Sequence, residues 1–378
     1  MSGAFKGPHL RELVRLPVRG DRCAVHGNHL IVGSHGAMAP HELTTIDIAN
    51  PASPKVKSRI RFKYRMPAVT LVGNLVYVFE DERAIHLVRL DKGKPTIFDC
   101  HLMFGQDLPE MATLGARFLV AARGRAGVSV FDVSDPAQPV ETDVRALGSR
   151  SVESLLVVGQ RVFAAAGADG LVELRADSDG KLVETGRWFG GDKGFEVERV
   201  FAIDGRLWIF GEGTLPYEPQ PVDGGRDDDD TYEEYGKYRE HDEDDDVAPE
   251  PNTVILSLDD VGGAPIWVGT NPIRPKQLRP VPGGGAIALH GYRCWRFPSA
   301  GKAELLFKRH EKVPEAGAKK PRTYVEVAGG ATGRGRFELT SDAACWLRLG
   351  KHLMVQQPDE LVIYAIHPKS PLATMAEG

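Results

Sequence analysis

Histidines, one cysteine–histidine pair and a dense run of acids are the side chains here whose types could do chemistry, and their spacing decides what each can do. His26, His29, His35 and His41 cluster early, with Glu42 adjacent. Imidazole binds zinc, copper or iron, but H-x2-H-x5-H-x5-H matches no standard finger. If His26 ends a strand and His29 sits in the turn after it, both lie at the opposite end of the unit from His35 and His41. Four such ligands do not share one sphere. Cys100-His101 sets a thiol beside an imidazole, without the third member that an activated thiolate needs. The carboxylate pairs Asp81-Glu82 and Asp259-Asp260 read as charged loop tips. No G-x-S-x-G or H-E-x-x-H is present. Gly283-Gly284-Gly285 precedes a strand rather than a helix, so it is no ordinary phosphate cradle. The sequence therefore assigns no catalytic residue, no metal ligand and no cofactor.

Charge is unevenly placed. The chain of 378 residues has a formal net charge of −5, yet Asp223 to Asp246 holds 13 acids and three bases, which leaves +5 for the rest. The core of that run, Asp227 to Tyr235, has almost no aliphatic side chain and cannot offset chain entropy by burial. It reads as a solvated tail, as a docking or self-covering segment anchored by Tyr232, Tyr235 and Tyr238, or as a calcium loop. The calcium reading lacks the D-x-D-x-D-G pattern and its glycine. A mildly basic body with an acidic insertion is a poor nucleic-acid binder. No apolar run of 18 residues suggests a membrane span. The first residues lack the apolar stretch of a secretory signal, and Cys23, Cys100, Cys294 and Cys345 show no C-x-x-C. A cytoplasmic location with free thiols is the expectation.

The elements that must position these residues announce themselves as a repeat. Gly127 to Pro139, G-V-S-V-F-D-V-S-D-P-A-Q-P, is an alternating strand running into a turn that proline stops. Ile46 to Pro54, I-D-I-A-N-P-A-S-P, repeats the device 85 residues earlier. A glycine followed at the third residue by a large apolar one recurs at Gly27, Gly73, Gly115, Gly159, Gly205, Gly284 and Gly350. The first four intervals lie within the roughly 40–50 residues of a propeller blade. Each unit offers one strand before the glycine, one after it, a third beyond a loop and a fourth beyond the Asx-Pro turn. The expected fold is all-β: a single seven-bladed β-propeller over 1–378, its blades four-stranded, with a long acidic insertion, 214–251, in blade five. Closing the ring assigns the segment Glu12 to Val18 to the outside of the last blade, beside Leu361 to Ile366, with Pro371 to Met375 as a competitor.

The Gly127 to Pro139 unit resembles the LVIVD repeat, named for apolar residues and an Asp before a D-P-x-x-P turn. Val128 to Pro139 and Thr45 to Pro54 carry the likeness; Leu87 to Pro95 and Val254 to Pro265 carry less. The resemblance implies a β-propeller and little chemistry. Many relatives look exported, and this chain departs from them in its first residues.

In a propeller the loops joining strands two and three, and those joining blades, share one face around the channel. Arg22, Arg65, Arg123, Arg125, Arg150, Lys193, Arg274 and Lys276 fall in or beside these loops, as do Tyr232 and Tyr235 of the acidic insertion. They form an expected binding rim, or else ordinary solvated charges. The reading is a scaffold that binds a protein partner at the loop face. A propeller hydrolase or lyase with a metal on the channel axis is the alternative, and a component of a larger bacterial particle a third.

Overall fold

The computed structural model describes residues 10–374 apart from 21, 34–40, 65, 67, 73–74, 81–83, 92–93, 103–109, 149–150, 153, 191–194, 214–250, 262, 264–266, 271–274, 276, 282–283, 291–292, 299–303, 312–322, 328–344, 357–359 and 369. Seven antiparallel sheets succeed one another along the chain. Strand β1 (Leu10–Leu16) comes first. Blade one is β2 (Arg22–His26), β3 (His29–Gly33), β4 (His41–Asp47) and β5 (Lys55–Phe62). Blade two is β6 (Ala68–Val72), β7 (Leu75–Glu80), β8 (Ala84–Asp91) and β9 (Lys94–Leu102). Blade three is β10 (Met111–Leu114), β11 (Phe118–Ala122), β12 (Val128–Asp132) and β13 (Val140–Arg145). Blade four is β14 (Ser154–Val158), β15 (Arg161–Ala165), β16 (Leu171–Ala176) and β17 (Leu182–Trp188). Blade five is β18 (Phe195–Ile203), β19 (Arg206–Gly213), β20 (Pro251–Ser257) and β21 (Trp267–Thr270).

Blade six departs from the expected four strands. It holds β22 (Arg279–Pro280), β23 (Ala286–His290), β24 (Arg293–Phe297), β25 (Glu304–Glu311) and a fifth, β26 (Thr323–Val327), antiparallel on its outer edge. The Lys/Gly/Pro-rich stretch before β26 masked that short β-rich run in the sequence. Blade seven is β27 (Cys345–Leu349), β28 (His352–Gln356) and β29 (Leu361–Ile366), and β1 completes it from Leu10↔Ile366 to Leu16↔Leu361. The ring is closed by the expected segment. Pro371–Thr374 is a short 3-10 turn, not a competing strand.

The repeat is visible atom by atom. Gly27, Gly159 and Gly350 have φ of +55°, +61° and +55° in the turn between strands one and two, and a Cβ at any of them would meet nothing within 4 Å. Only the left-handed backbone, not crowding, demands glycine there. The turn then accepts the backbone N–H that follows strand three: Ile48 to Asn28, Val133 to Arg117, Leu258 to Gly205 and Ile366 to Lys351, all at 2.7–2.9 Å. The two Asx-Pro turns are also the same object. Asp47 and Asp132 accept from Ala49 and Ser134, Asn50 and Asp135 from Ala52 and Ala137, and a turn hydrogen bond closes Asn50 on Ser53 and Asp135 on Gln138. Pro51 and Pro136 thus occupy the second turn position, whose φ the proline ring sets in advance.

The apolar side chains pack between blades, not within them. Leu43, Val76, Val78 and Val88 fill the seam of blades one and two. Tyr77, Leu87, Leu119 and Phe131 fill the next seam, and Val130, Val152, Val162 and Leu174 the one after. Val18, Leu30, Ile46 and Ile363 join the last blade to the first. At the far face from the loops, blades two, three and four each reach into the next. The Tyr77 hydroxyl donates to Pro136 O at 2.7 Å, Arg117 Nη1 to Ser178 O at 2.7 Å, and Arg161 Nη1 to Leu258 O at 2.5 Å. Burial of the Tyr77 hydroxyl, helped by nearby Asp135, pushes its pKa up to about 12. The Arg117 guanidinium, with Ser134, holds Asp132 down at about 2.

Candidate functional site

The loop face is knitted by backbone. After β11 the sequence runs A-A-R-G-R-A-G, and after β15 it runs A-A-A-G-A-D-G. Both form the same loop. Arg123 N donates to Gly127 O and Gly127 N to Gly124 O; Ala166 N donates to Gly170 O and Gly170 N to Gly167 O. The first glycine of each then bridges to the neighbouring blade, Gly124 to Val152 and Gly167 to Val197. A Cβ at Gly127 or Gly170 would come within about 2 Å of backbone oxygen, at Arg145 and Trp188 respectively. These loops are therefore a fixed floor to the channel mouth.

Carboxylates pin the inter-blade connections to that floor. Glu80, the last residue of the wholly buried β7, takes the N–H groups of Lys63 and Tyr64 on Oε1, each at 2.9 Å. Its Oε2 lies 2.8 Å from His86 Nε2, and Phe62 meets the His86 ring edge-on at 5.0 Å. Glu110 accepts Leu155 N at 2.9 Å and bonds the Ser154 hydroxyl. Burial pushes the Glu110 carboxyl above its ordinary range, and the Leu155 N–H, the charges of Arg199 and Arg22 and the Ser154 hydroxyl pull it part of the way back. Charges from blades one, three and five thus act on one another here. Each belongs to a first strand or the residue before one, and consecutive first strands touch from β2 through β6, β10 and β14 to β18.

The structure separates the expected rim residues. Arg22 opens β2, half-buried, and contributes to the field at Glu110. Arg123 turns back onto its own blade: its Nη1 lies 2.7 Å from Glu141 and 3.1 Å from Ser129 Oγ. Arg125 is exposed at the loop tip. Arg65, Arg150, Lys193, Arg274, Lys276, Tyr232 and Tyr235 lie outside the described residues. Glu80, His86, Glu110 and Arg199 were missed. Glu80 alone could have been found, as an acid ending the apolar run L-V-Y-V-F. His29 opens β3 rather than sitting in the turn, paired with His26, while His41 lies at the far end of β4. Among the described residues no three His, Cys, Asp or Glu side chains are grouped for a metal ion.

The acidic insertion leaves β19 and returns in β20, where Glu212 pairs with Pro251. It thus departs from and re-enters one rung of a ladder on the loop face. Of 214–251 only Pro251 is described.

No family model matches the sequence, and no curated protein is similar to it. Solved structures are similar in shape. BamB from Moraxella catarrhalis aligns over 94% of this chain and 97% of its own, at 11% identity and a TM-score of 0.45. The N-terminal domain of Nup159 aligns over 96% of each chain, at 9% identity and a TM-score of 0.50. At such identities the likeness concerns the fold alone.

Proposed function

We propose that this chain is a non-enzymatic interaction platform, cytoplasmic and of LVIVD-repeat type, whose protein partner docks on the loop face around the channel mouth. One observation carries the reading. The insertion 214–251, with 15 acids and three bases, is anchored at both ends on one rung of blade five, at the loop face. A strongly acidic segment tethered at this face competes with an acidic partner that binds there. The attractions are among exposed charges, roughly 0–1 kcal/mol per pair, and salt shortens their range to about 8 Å. The floor beneath is fixed by Glu80, Glu110 and the paired glycine loops, so docking costs little ordering of the platform. The charges turned on Glu110 are arginines, which disfavours a metal ion on the axis beside it.

The test is capture of partners from the native lysate by the full chain and by a form lacking Gly224 to Asp246. A partner held several-fold more tightly by the shortened form, with a gain that shrinks as salt rises, is the expected result. Loss of the partner on deletion makes the insertion itself the docking element and ends the competition reading.

A further inference from the structure

The outer strand of blade one is unlike the other outer strands. Residues 55–65 read K-V-K-S-R-I-R-F-K-Y-R, a base at every second position and no acid. Lys55, Lys57, Arg59, Arg61 and Lys63 are all exposed. Among the described residues two acids answer these five bases. Asp47 lies 3.0 Å from Lys57 Nζ, and Glu42 lies 2.9 Å from Arg61 Nε and 3.9 Å from Arg59 Nε. The Arg61 side chain remains 80% exposed while paired. Positive charge therefore runs in excess along about 26 Å of extended chain, at roughly 3.3 Å per residue. The outer strands β9, β13 and β17 mix both signs instead.

Basic residues on an edge strand commonly serve to repel other strands. The mixed outer strands β9, β13 and β17 manage with one lysine or arginine each, so repulsion leaves the alternation of β5 unexplained. The strand order of blade one ends at β5, so among the described residues its outer side carries no further strand in that sheet. An outer edge of this ring does accept an added strand, since β26 pairs antiparallel with β25 in blade six. A second copy of β5 would set base against base, which is unfavourable across a strand pair.

We propose that β5 is a docking edge for an extended acidic segment of a partner protein, whose main chain pairs with the outer side of the strand and whose carboxylates, two residues apart, face Arg59 and Arg61, which share one face beyond the bulge at Lys57. The mode is strand addition, with main-chain hydrogen bonds for affinity and side-chain alternation for choice of partner. The site lies on the rim and stands independently of docking at the loop face.

The experiment uses the full chain and a fluorescent peptide of alternating glutamate and threonine, read by anisotropy. Three results are expected: saturable binding; weakening of about tenfold or more in Lys55→Glu/Lys63→Glu, two exposed positions outside the ion pairs to Asp47 and Glu42; and weakening of about fivefold or more when alternate peptide amides are N-methylated, which removes main-chain donors but no charge. The methylated peptide is tested on the unaltered protein, so the proposal stays open to refutation even if the double variant does not fold. Absence of binding overturns it. So does equal binding of the methylated peptide, which would mean charge attraction without strand pairing. Tighter binding of a single-stranded oligonucleotide, or of phosphatidylserine vesicles, would give the edge to another class of polyanion and overturn it as well.

Discussion

A single backbone angle explains why glycine marks the repeat. At Gly159 a side chain would meet no atom within 4 Å, so a substitution there is felt through φ alone. Gly159→Ala is expected to lower stability by about 1–2 kcal/mol in urea unfolding, and Gly159→Asn by less, because asparagine tolerates the left-handed region. Glu110 tests the opposite kind of effect. Its pKa is raised by burial, so the folded protein holds that proton more tightly than the unfolded chain does. The stability gained this way is fully present below the ordinary carboxylate range and is lost as pH rises through the folded value. Glu110→Gln keeps an acceptor for Leu155 N without the buried charge. Its melting temperature is expected to exceed that of the parent at pH 8, with the gain vanishing near pH 4. A gain that does not depend on pH would show that Glu110 is not strained by ionisation.

At the scale of the element, the Asx-Pro turn was legible because each of its residues has one local reason to be there. Asp132 and Asp135 accept from the backbone two residues on, and Pro136 presets the turn. Pro136→Ala is expected to cost about 0.4–1 kcal/mol, through the greater freedom of the unfolded chain, with the Tyr77 hydrogen bond to residue 136 retained. Chemical denaturation of the two proteins checks it. Local logic of this kind also gave the strands and their order, β26 excepted. What it could not give was the partner of a side chain. Arg123 sits in a loop that reads as open rim, yet Glu141, eighteen residues on, claims its guanidinium across the β12–β13 hairpin. Glu110 offered no sign of its place, because the atoms that bury it belong to a neighbouring blade. The outer-strand bulge was equally silent. It recurs at Leu13, Lys57, Phe98, Thr142, Thr185 and Leu306, one unpaired residue in each of six blades. A bulge strengthens the local twist of a strand, and no residue type marks it here.

For the whole molecule, six seams described between neighbouring sheets each hold an apolar layer that belongs to two blades at once. Removing one strand therefore damages more than one sheet. Deleting residues 1–16 takes away the outer strand of blade seven, the Arg15–Glu360 ion pair and the Val14 and Leu16 side chains that pack on the closing seam. The melting temperature is expected to fall on the order of 10 °C or more, with aggregation through the bared edge. A truncated chain that melts like the parent would mean that the ring does not depend on this closure. The seven-fold plan was readable in the sequence because glycines and turns recur. The basic alternation of residues 55–65 was equally present there, but it lies on the rim rather than in the loops, and its exposure became plain only with the fold.

The clasp of β1 on β29 also orders events in time. The first strand of the ring finds its partner only after some 350 further residues exist, since Leu10 pairs with Ile366. At roughly 5–20 residues per second, a ribosome needs on the order of 20–70 seconds to supply them. Throughout that interval blade seven is missing, β1 has no sheet, and the seam of Leu30, Ile46 and Val32 stands open on one side. The nascent protein is thus an incomplete arc with an apolar flank for most of its synthesis.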